Sequence, residues 1–312
     1  MQYFIINTNG GVMGKQGLVK VDCKTGMCTV AGRSYQAMGF GTAQDKHKAR
    51  PELIRQALEV GFRIFDTSPM YQSFKEVGEG LSGIDRKEIY VIGKLEHGDM
   101  RRSGVDASVH TMLREMKMDY LDACLIHWPN SQVPIEETLT AMEDLQRVGK
   151  IRHIGCSNFS IYHLRRALET GIPITWLQIE MNVAFFDLEL LNFCRQEGIG
   201  VQTWFSLRGS HGNILLSNIG KDKGLTAEQV ALRWIHQHGC IPLTSSSSME
   251  RMRENLHILH EGSLSLEEME TIDEKASHGE RVQFSEKIMG FCDEFGFAYE
   301  ECWPHKKDRK TG

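Results

Sequence analysis

From about residue 36 to residue 263, short apolar and β-branched runs alternate with amphipathic segments, and they do so eight times. The strand-like runs are "YQAMGFGT", "FRIFDTS", "IYVIGKL", "YLDACLIHW", "IRHIGCSN", "TWLQIEMN", "IGVQTWFS" and "CIPLTSS". They are apolar almost throughout, as parallel strands covered on both faces must be, and do not alternate as half-exposed strands do. The segments between them, such as "PELIRQALEVG" and "TAEQVALRWIHQHG", open at a proline or a polar cap and close at glycine, which are the start and stop signals of helices. Eight such units predict an α/β fold of the closed (β/α)8 kind, a TIM barrel. An open doubly wound sheet would carry a GxGxxG turn after its first strand, and "GFGT" at 39–42 is too short to be one.

No Pro/Gly/Ser-rich linker divides the 312 residues, so the chain reads as a single domain with two decorations around a barrel at 36–263. Residues 1–35 contain "LVKVDCKTGMCTVAG", a hairpin expected to close the amino-terminal end of the barrel. Residues 264–312 hold a further amphipathic helix, "SLEEMETIDEKAS", and then an aromatic-containing tail that reads as irregular. The stretch "RGSHGNILLSNIGKDKG" after the seventh run reads as a mobile loop.

Composition bounds the possible partners. A net charge of -5 gives no overall basic field to draw nucleic acid or an anionic membrane, and the basic stretch "HKKDRK" at 305–310 reads as solvated surface. No basic-then-apolar leader opens the chain and no run approaches the ~18 apolar residues of a membrane span, so a cytoplasmic location is expected, with the chain a monomer or weak dimer. Eight cysteines lie scattered without a CxxC pair, which suits reduced thiols; Cys23 with Cys28 and Cys292 with Cys302 are the closest pairs.

A barrel builds its site where the strands exit, because loops there vary without disturbing the packed interior. Asp66, Lys94, His127, Ser157, Asn158, Gln178 and Trp204 all interrupt apolar runs in or near such positions. Each alone has an ordinary explanation as a cap, a core group or packing, but together they converge on one rim. The chemistry then follows from residue type. A tyrosine with a pKa near ~10 is a poor acid at neutral pH unless a cation stabilises its phenolate, and Lys94 is placed to do this for Tyr71. Asp66 pairs with Lys94 and orients it, while His127 offers a hydrogen bond to a substrate carbonyl oxygen. No side chain supplies hydride, so a nicotinamide cofactor is expected nearby.

These residues carry a resemblance to the aldo-keto reductases, through "FDTSPMY", "IGKL", "LIHWP", "GCSNFS", "LQIEMN" and "IPLTSSSSMERMREN" in that order. The resemblance covers roughly residues 36–275. It implies a barrel that reduces an aldehyde or ketone with NADPH, NADH remaining open, and a catalytic tetrad of Asp66, Tyr71, Lys94 and His127. It further implies that Ser157, Asn158 and Gln178 hold the nicotinamide carboxamide, that Trp204 stands in for a stacking tyrosine, and that Thr42 and Leu207 also line the cofactor. At the adenosine 2'-phosphate it implies Thr244, Ser245, Arg251, Glu254 and Asn255, with Leu243 where the family places a lysine.

For the substrate pocket, Trp128 and His97 are the first candidates, with Phe185, Phe186 and His211 behind them. Metal catalysis through His236 with His238 or His257 with His260 lacks a carboxylate partner and an HExxH motif. Nucleophilic hydrolysis lacks a GxSxG elbow. A nicotinamide-binding regulatory or channel-subunit role, and redox-neutral epimerisation at the same site, stay open as alternatives.

Overall fold

The computed structural model describes residues 17–43, 50–130 and 132–278. A three-stranded antiparallel sheet comes first, made of β1 (Val19–Asp22), β2 (Met27–Val30) and β3 (Arg33–Gln36). The barrel strands are β4 (Gly39–Gly41), β5 (Ile64–Asp66), β6 (Tyr90–Leu95), β7 (Leu121–Ile126), β8 (Ile151–Ser157), β9 (Trp176–Glu180), β10 (Gly200–Trp204) and β11 (Ile241–Thr244). All pair in parallel, and β11 closes the ring onto β4. The outer layer comprises α1 (Pro51–Val60), α2 (Phe74–Gly80), α3 (Arg102–Met116), α4 (Ile135–Arg147), α5 (Ile161–Glu169), α6 (Leu188–Glu197), α7 (Ile214–Lys221), α8 (Ala227–Gln237) and α9 (Met249–His257), with α10 (Leu266–Ser277) following.

Local signals explain the boundaries. Pro51 opens α1, and reciprocal capping boxes open α5 at Ser160, α8 at Thr226 and α10 at Ser265, each supplying partners for orphan amides of a first turn. Every residue of β6 and β7 is buried, as the unbroken apolar runs require.

Three readings of the sequence need correction. Residues 35 and 36 belong to β3 and not to the first barrel strand, which is shorter, so the extension is a three-stranded meander and not a simple hairpin. The stretch expected to be a mobile loop contains α7, whose cap Asn213 accepts from the Leu216 amide and whose Leu216 is fully buried. Glycine, serine and asparagine before "ILLSNIGK", and serine, asparagine and glycine within it, obscured a short helix that packs on α8. Finally, α3 begins at Arg102, three residues before the expected Val105. The tail after residue 278, Cys292, Cys302 and the basic stretch lie outside the described residues. The six described cysteines are free.

The lower barrel interior is apolar and filled. Ile64, Tyr90, Ile92, Ala123, Leu125, Trp176 and Ile241 form one buried cluster with Cys28, Val30, Tyr35 and Ala37 of the meander, which plugs that end. Trp176 donates its indole N–H to the Tyr90 hydroxyl at 2.7 Å and fills space that a small residue must leave free. A Cβ on Gly155 would stand 2.8 Å from the Trp176 carbonyl oxygen and 2.5 Å from Leu125 Cδ2. Gly155→Ala is therefore expected to destabilise the fold by about 1–3 kcal/mol through overpacking, seen as a lower denaturant midpoint at unchanged slope.

Candidate active site

Side chains alternate faces along a strand, so the residue two steps beyond an inward one also points inward. From the apolar layer this leads from Ile64 to Asp66, Ile92 to Lys94, Leu125 to His127 and Trp176 to Gln178, and on the neighbouring strands from Gly155 to Ser157 and Gly200 to Gln202. A polar layer thus sits directly above the plug, at the carboxyl ends of the strands.

The four residues of the expected tetrad meet there. Lys94 is wholly buried, and its Nζ lies 2.6 Å from both Asp66 carboxylate oxygens and 3.3 Å from the Tyr71 hydroxyl. Tyr71 ends a 3-10 turn, Pro69–Tyr71, whose cap Ser68 accepts from the Met70 amide. The His127 ring meets the Tyr71 ring edge to face, centroids 6.0 Å apart. Burial works to lower the Lys94 ammonium, but the Asp66 carboxylate and the Tyr71 oxygen hold it above its ordinary value. For Tyr71 the balance differs from the sequence expectation. Burial pushes the phenol above its ordinary value, and Lys94 only opposes that rise. In the free protein the phenol therefore keeps its proton.

The expected carboxamide residues lie beside this cluster. Ser157, Asn158 and Gln178 are buried. Asn158 sits in the left-handed region at φ 61°, donates to the His127 carbonyl at 3.0 Å and accepts from the Trp204 indole at 3.0 Å. That bond fixes the half-exposed Trp204 ring at the mouth. Gln178 donates its amide to Asp66 Oδ2 at 2.9 Å and to Gln202 Oε1 at 3.0 Å. The Gln202 amide nitrogen is buried with no hydrogen-bond partner among the described residues. An oriented indole face beside a polar rim with an orphaned amide suits a flat, amide-bearing ring such as nicotinamide. Thr42 is differently employed: its amide and hydroxyl both donate to the Asp66 carbonyl at 3.0 Å, and Ser73 lies 3.0 Å from the hydroxyl. Leu207 is half-buried against the core beyond β10.

At the far end, Thr244 is buried at the exit of β11 and Ser245 is exposed. Ser248 caps α9 by accepting from the Arg251 amide. Arg251 and Glu254 are exposed on that helix and Asn255 is buried. Leu243 is buried over Gly39, where an added Cβ would come within 2.4 Å of its Cδ2. The family's lysine position is thus occupied by a packing residue, which leaves Arg251 and its neighbour Arg253 as the cations on this segment.

Of the pocket candidates, Trp128 follows His127, with ring centroids 6.5 Å apart. His97 is held through its carbonyl, which accepts from Asn130 at 2.7 Å. Phe186 is corrected: it packs on Trp234 and His238 in the helix–barrel core, with centroids 5.2 and 4.9 Å away. His211 is fully exposed and pairs with Glu228, so it is surface. Phe185 is buried beside a backbone bridge to Asn182. Among the described residues no group of three or more His, Cys, Asp or Glu is arranged to hold a metal ion. No described helix is long and apolar enough to cross a membrane.

Two charged residues of the site were not singled out in the sequence. Glu96 accepts from Ser68 and lies 2.9 Å from His127 Nδ1. Glu180, deeply buried, pairs with Arg208 at 2.9 Å and accepts from Asn182. The same two-step alternation that leads to Lys94 and Gln178 leads onward to these carboxylates, and that was the available signal.

Comparison with known proteins identifies the family of the chain and its fold. The model of the aldo/keto reductase family matches residues 37–213 and 208–277. Glyoxal reductase of Bacillus subtilis (strain 168) is 33% identical over 227 residues, which cover 71% of this chain and 82% of the relative. The 9,11-endoperoxide prostaglandin H2 reductase of Trypanosoma cruzi (strain CL Brener) is 32% identical over 245 residues, covering 76% of this chain and 86% of its own. Among solved structures, aldose reductase from Schistosoma japonicum matches with a TM-score of 0.78 at 28% identity, over 86% of this chain and 97% of that one. Fold and sequence lead to one assignment: the chain belongs to the aldo/keto reductase family.

Proposed function

We propose that the chain reduces an aldehyde or ketone to an alcohol, with Tyr71 as proton donor and NADPH as the preferred cofactor. The observation that carries this reading is the contact of Lys94 Nζ with the Tyr71 hydroxyl at 3.3 Å and with both Asp66 oxygens at 2.6 Å. When bound, the nicotinamide supplies the hydride. Ser157, Asn158 and Gln178 would hold its carboxamide, and Trp204 its ring face. As the carbonyl oxygen gains negative charge, Tyr71 passes it the phenolic proton, and Lys94 stabilises the phenolate left behind. Asp66 keeps the Lys94 ammonium in place and offsets the cost of burying it. Steady NADPH oxidation across a panel of aldehydes and ketones tests this directly. Tight cofactor binding without turnover of any carbonyl would instead favour a regulatory role.

One relative above is named for reducing glyoxal, a dialdehyde, which supports a carbonyl substrate, and the other for reducing an endoperoxide, so the proposed class is kept no narrower than aldehyde or ketone. For the cofactor, Arg251 is proposed to pair with the 2'-phosphate, supported by hydroxyls of the serine run at 245–248. Losing one charge-assisted contact is worth about a factor of ten in affinity. Arg251→Ala should therefore weaken NADPH binding about tenfold and leave NADH unchanged, as titration of nicotinamide fluorescence would show. Equal losses for both would remove Arg251 from the phosphate site.

A further inference from the structure

The end of the barrel opposite Tyr71 holds a second polar cluster, in a pocket of about 470 Å³. Arg33 and Tyr35 reach it from β3 of the meander, and Tyr120, Asp122, Arg152 and His153 from the start of β7 and β8. That volume falls within the range of small-molecule sites. Two guanidinium groups sit over the Tyr120 ring, Arg86 at 4.1 Å and Arg152 at 3.7 Å from its centroid.

The charges in this cluster do not balance. Asp122 is deeply buried, lies 2.5 Å from Arg86 and 3.5 Å from Arg152, and also accepts from the Val91 amide. Arg86 is fully engaged, since it donates to the Ile89 and Tyr120 carbonyls as well. Among the described residues Arg152 has no closer partner than Asp122, and Arg33 has no carboxylate within ion-pair distance. Three guanidinium ions therefore share one carboxylate. Burial raises the Asp122 carboxyl above its ordinary value while Arg86 opposes the rise, and any proton taken up there would only add to the positive excess. His153 registers the same field: burial, then Arg152 and Arg33, push its imidazole down to about 4, so the ring is neutral near pH 7.

Hydrogen-bonding groups are left over as well. Tyr35 is buried, and its hydroxyl closes no hydrogen bond of good geometry with any described residue, although the Arg33 guanidinium faces it. Arg33 Nη1 is likewise buried without an acceptor. Buried groups of this kind cost stability unless something outside the chain supplies their partner. We propose that this basal pocket binds a phosphate group, free or as the ester of a small molecule, held by Arg33, Arg152 and the Tyr35 hydroxyl. Two guanidinium ions match the charge of a phosphate dianion, and their planar forks match its oxygens. The site is separate from the tetrad and does not rest on the reductase reading.

The test is calorimetric titration of the full chain with inorganic phosphate and, separately, with glycerol 3-phosphate, at constant ionic strength and about pH 8, where both are dianions. One saturable site with a Kd of about 1 mM is expected, the affinity of two or three charge-assisted hydrogen bonds. Arg33→Gln and Arg152→Gln should each weaken it about tenfold, and Tyr35→Phe about fivefold. Tyr35→Phe removes only a hydroxyl without a partner, so it keeps the fold and decides the matter should an arginine variant loosen the meander. Because the ion joins β3 to β8, phosphate at ten times its Kd should shift the unfolding equilibrium about tenfold toward the folded state. The serine run near Arg251 offers phosphate a second place, so the titration is repeated in Arg251→Ala, where the basal site should persist unchanged. Tighter binding of glycerol 3-phosphate assigns the pocket to an ester, and equal or weaker binding assigns it to the free ion. No saturable uptake of either compound, uptake unaffected by the three basal substitutions, or uptake lost in Arg251→Ala overturns the proposal.

Discussion

Tyr71→Phe is expected to lower carbonyl turnover by about 10²- to 10⁴-fold while nicotinamide affinity stays the same. The substitution removes one oxygen and keeps the ring, so the edge-to-face contact with His127 persists. What disappears is the proton donor 3.3 Å from Lys94 Nζ. Because burial already holds the phenol protonated, the loss falls on proton delivery and not on the population of a correctly charged site. Single-turnover kinetics with saturating NADPH would isolate this step. Turnover equal to that of the unaltered protein would remove Tyr71 from the mechanism.

Lys94→Met should abolish measurable activity and also weaken the fold, by about 3–5 kcal/mol. The ammonium is wholly buried, and its departure leaves the Asp66 carboxylate inside the barrel with, among the described residues, only the Gln178 amide as a side-chain donor. Adding Asp66→Asn to Lys94→Met removes the stranded charge, so the double variant should regain much of the stability and none of the activity. Chemical denaturation read beside turnover separates the two effects. Recovery of turnover in the double variant, or equal stability of the single variant and the unaltered protein, would contradict this account of the pair.

The barrel and the tetrad were legible in the sequence for one physical reason: burial on both faces writes parallel strands as unbroken apolar runs, and a charge at the exit of such a run is conspicuous. Asp66, Lys94 and His127 stand out in this way, and Tyr71 stands out through its turn. The helix α7 was not legible, because eight residues that include serine, asparagine and glycine, set after a glycine-containing stretch, carry too little periodicity to be told from a loop. Phe186 and His211 could not be assigned either, since an aromatic or a histidine in a loop reads the same whether it meets a core tryptophan or solvent. Glu96 was hidden by its position one residue beyond β6, where a carboxylate ordinarily caps a loop. The direction of the Tyr71 shift depends on how deeply the ring is enclosed, and residue types do not encode depth.

The alternation that raises a polar layer on an apolar plug also acts as a check on assembly. Gly93, one residue before Lys94, faces outward, and a side chain there would meet Met112 Sδ at 2.8 Å and Leu121 Cδ1 at 2.9 Å. A one-residue slip of β6 against its neighbours would drive the Lys94 ammonium into that apolar seam and strand Asp66 without its cation. Misregistered barrels are thereby penalised by the same pair of charges that serves the site, so folding to the correct register and possession of a complete tetrad are one event.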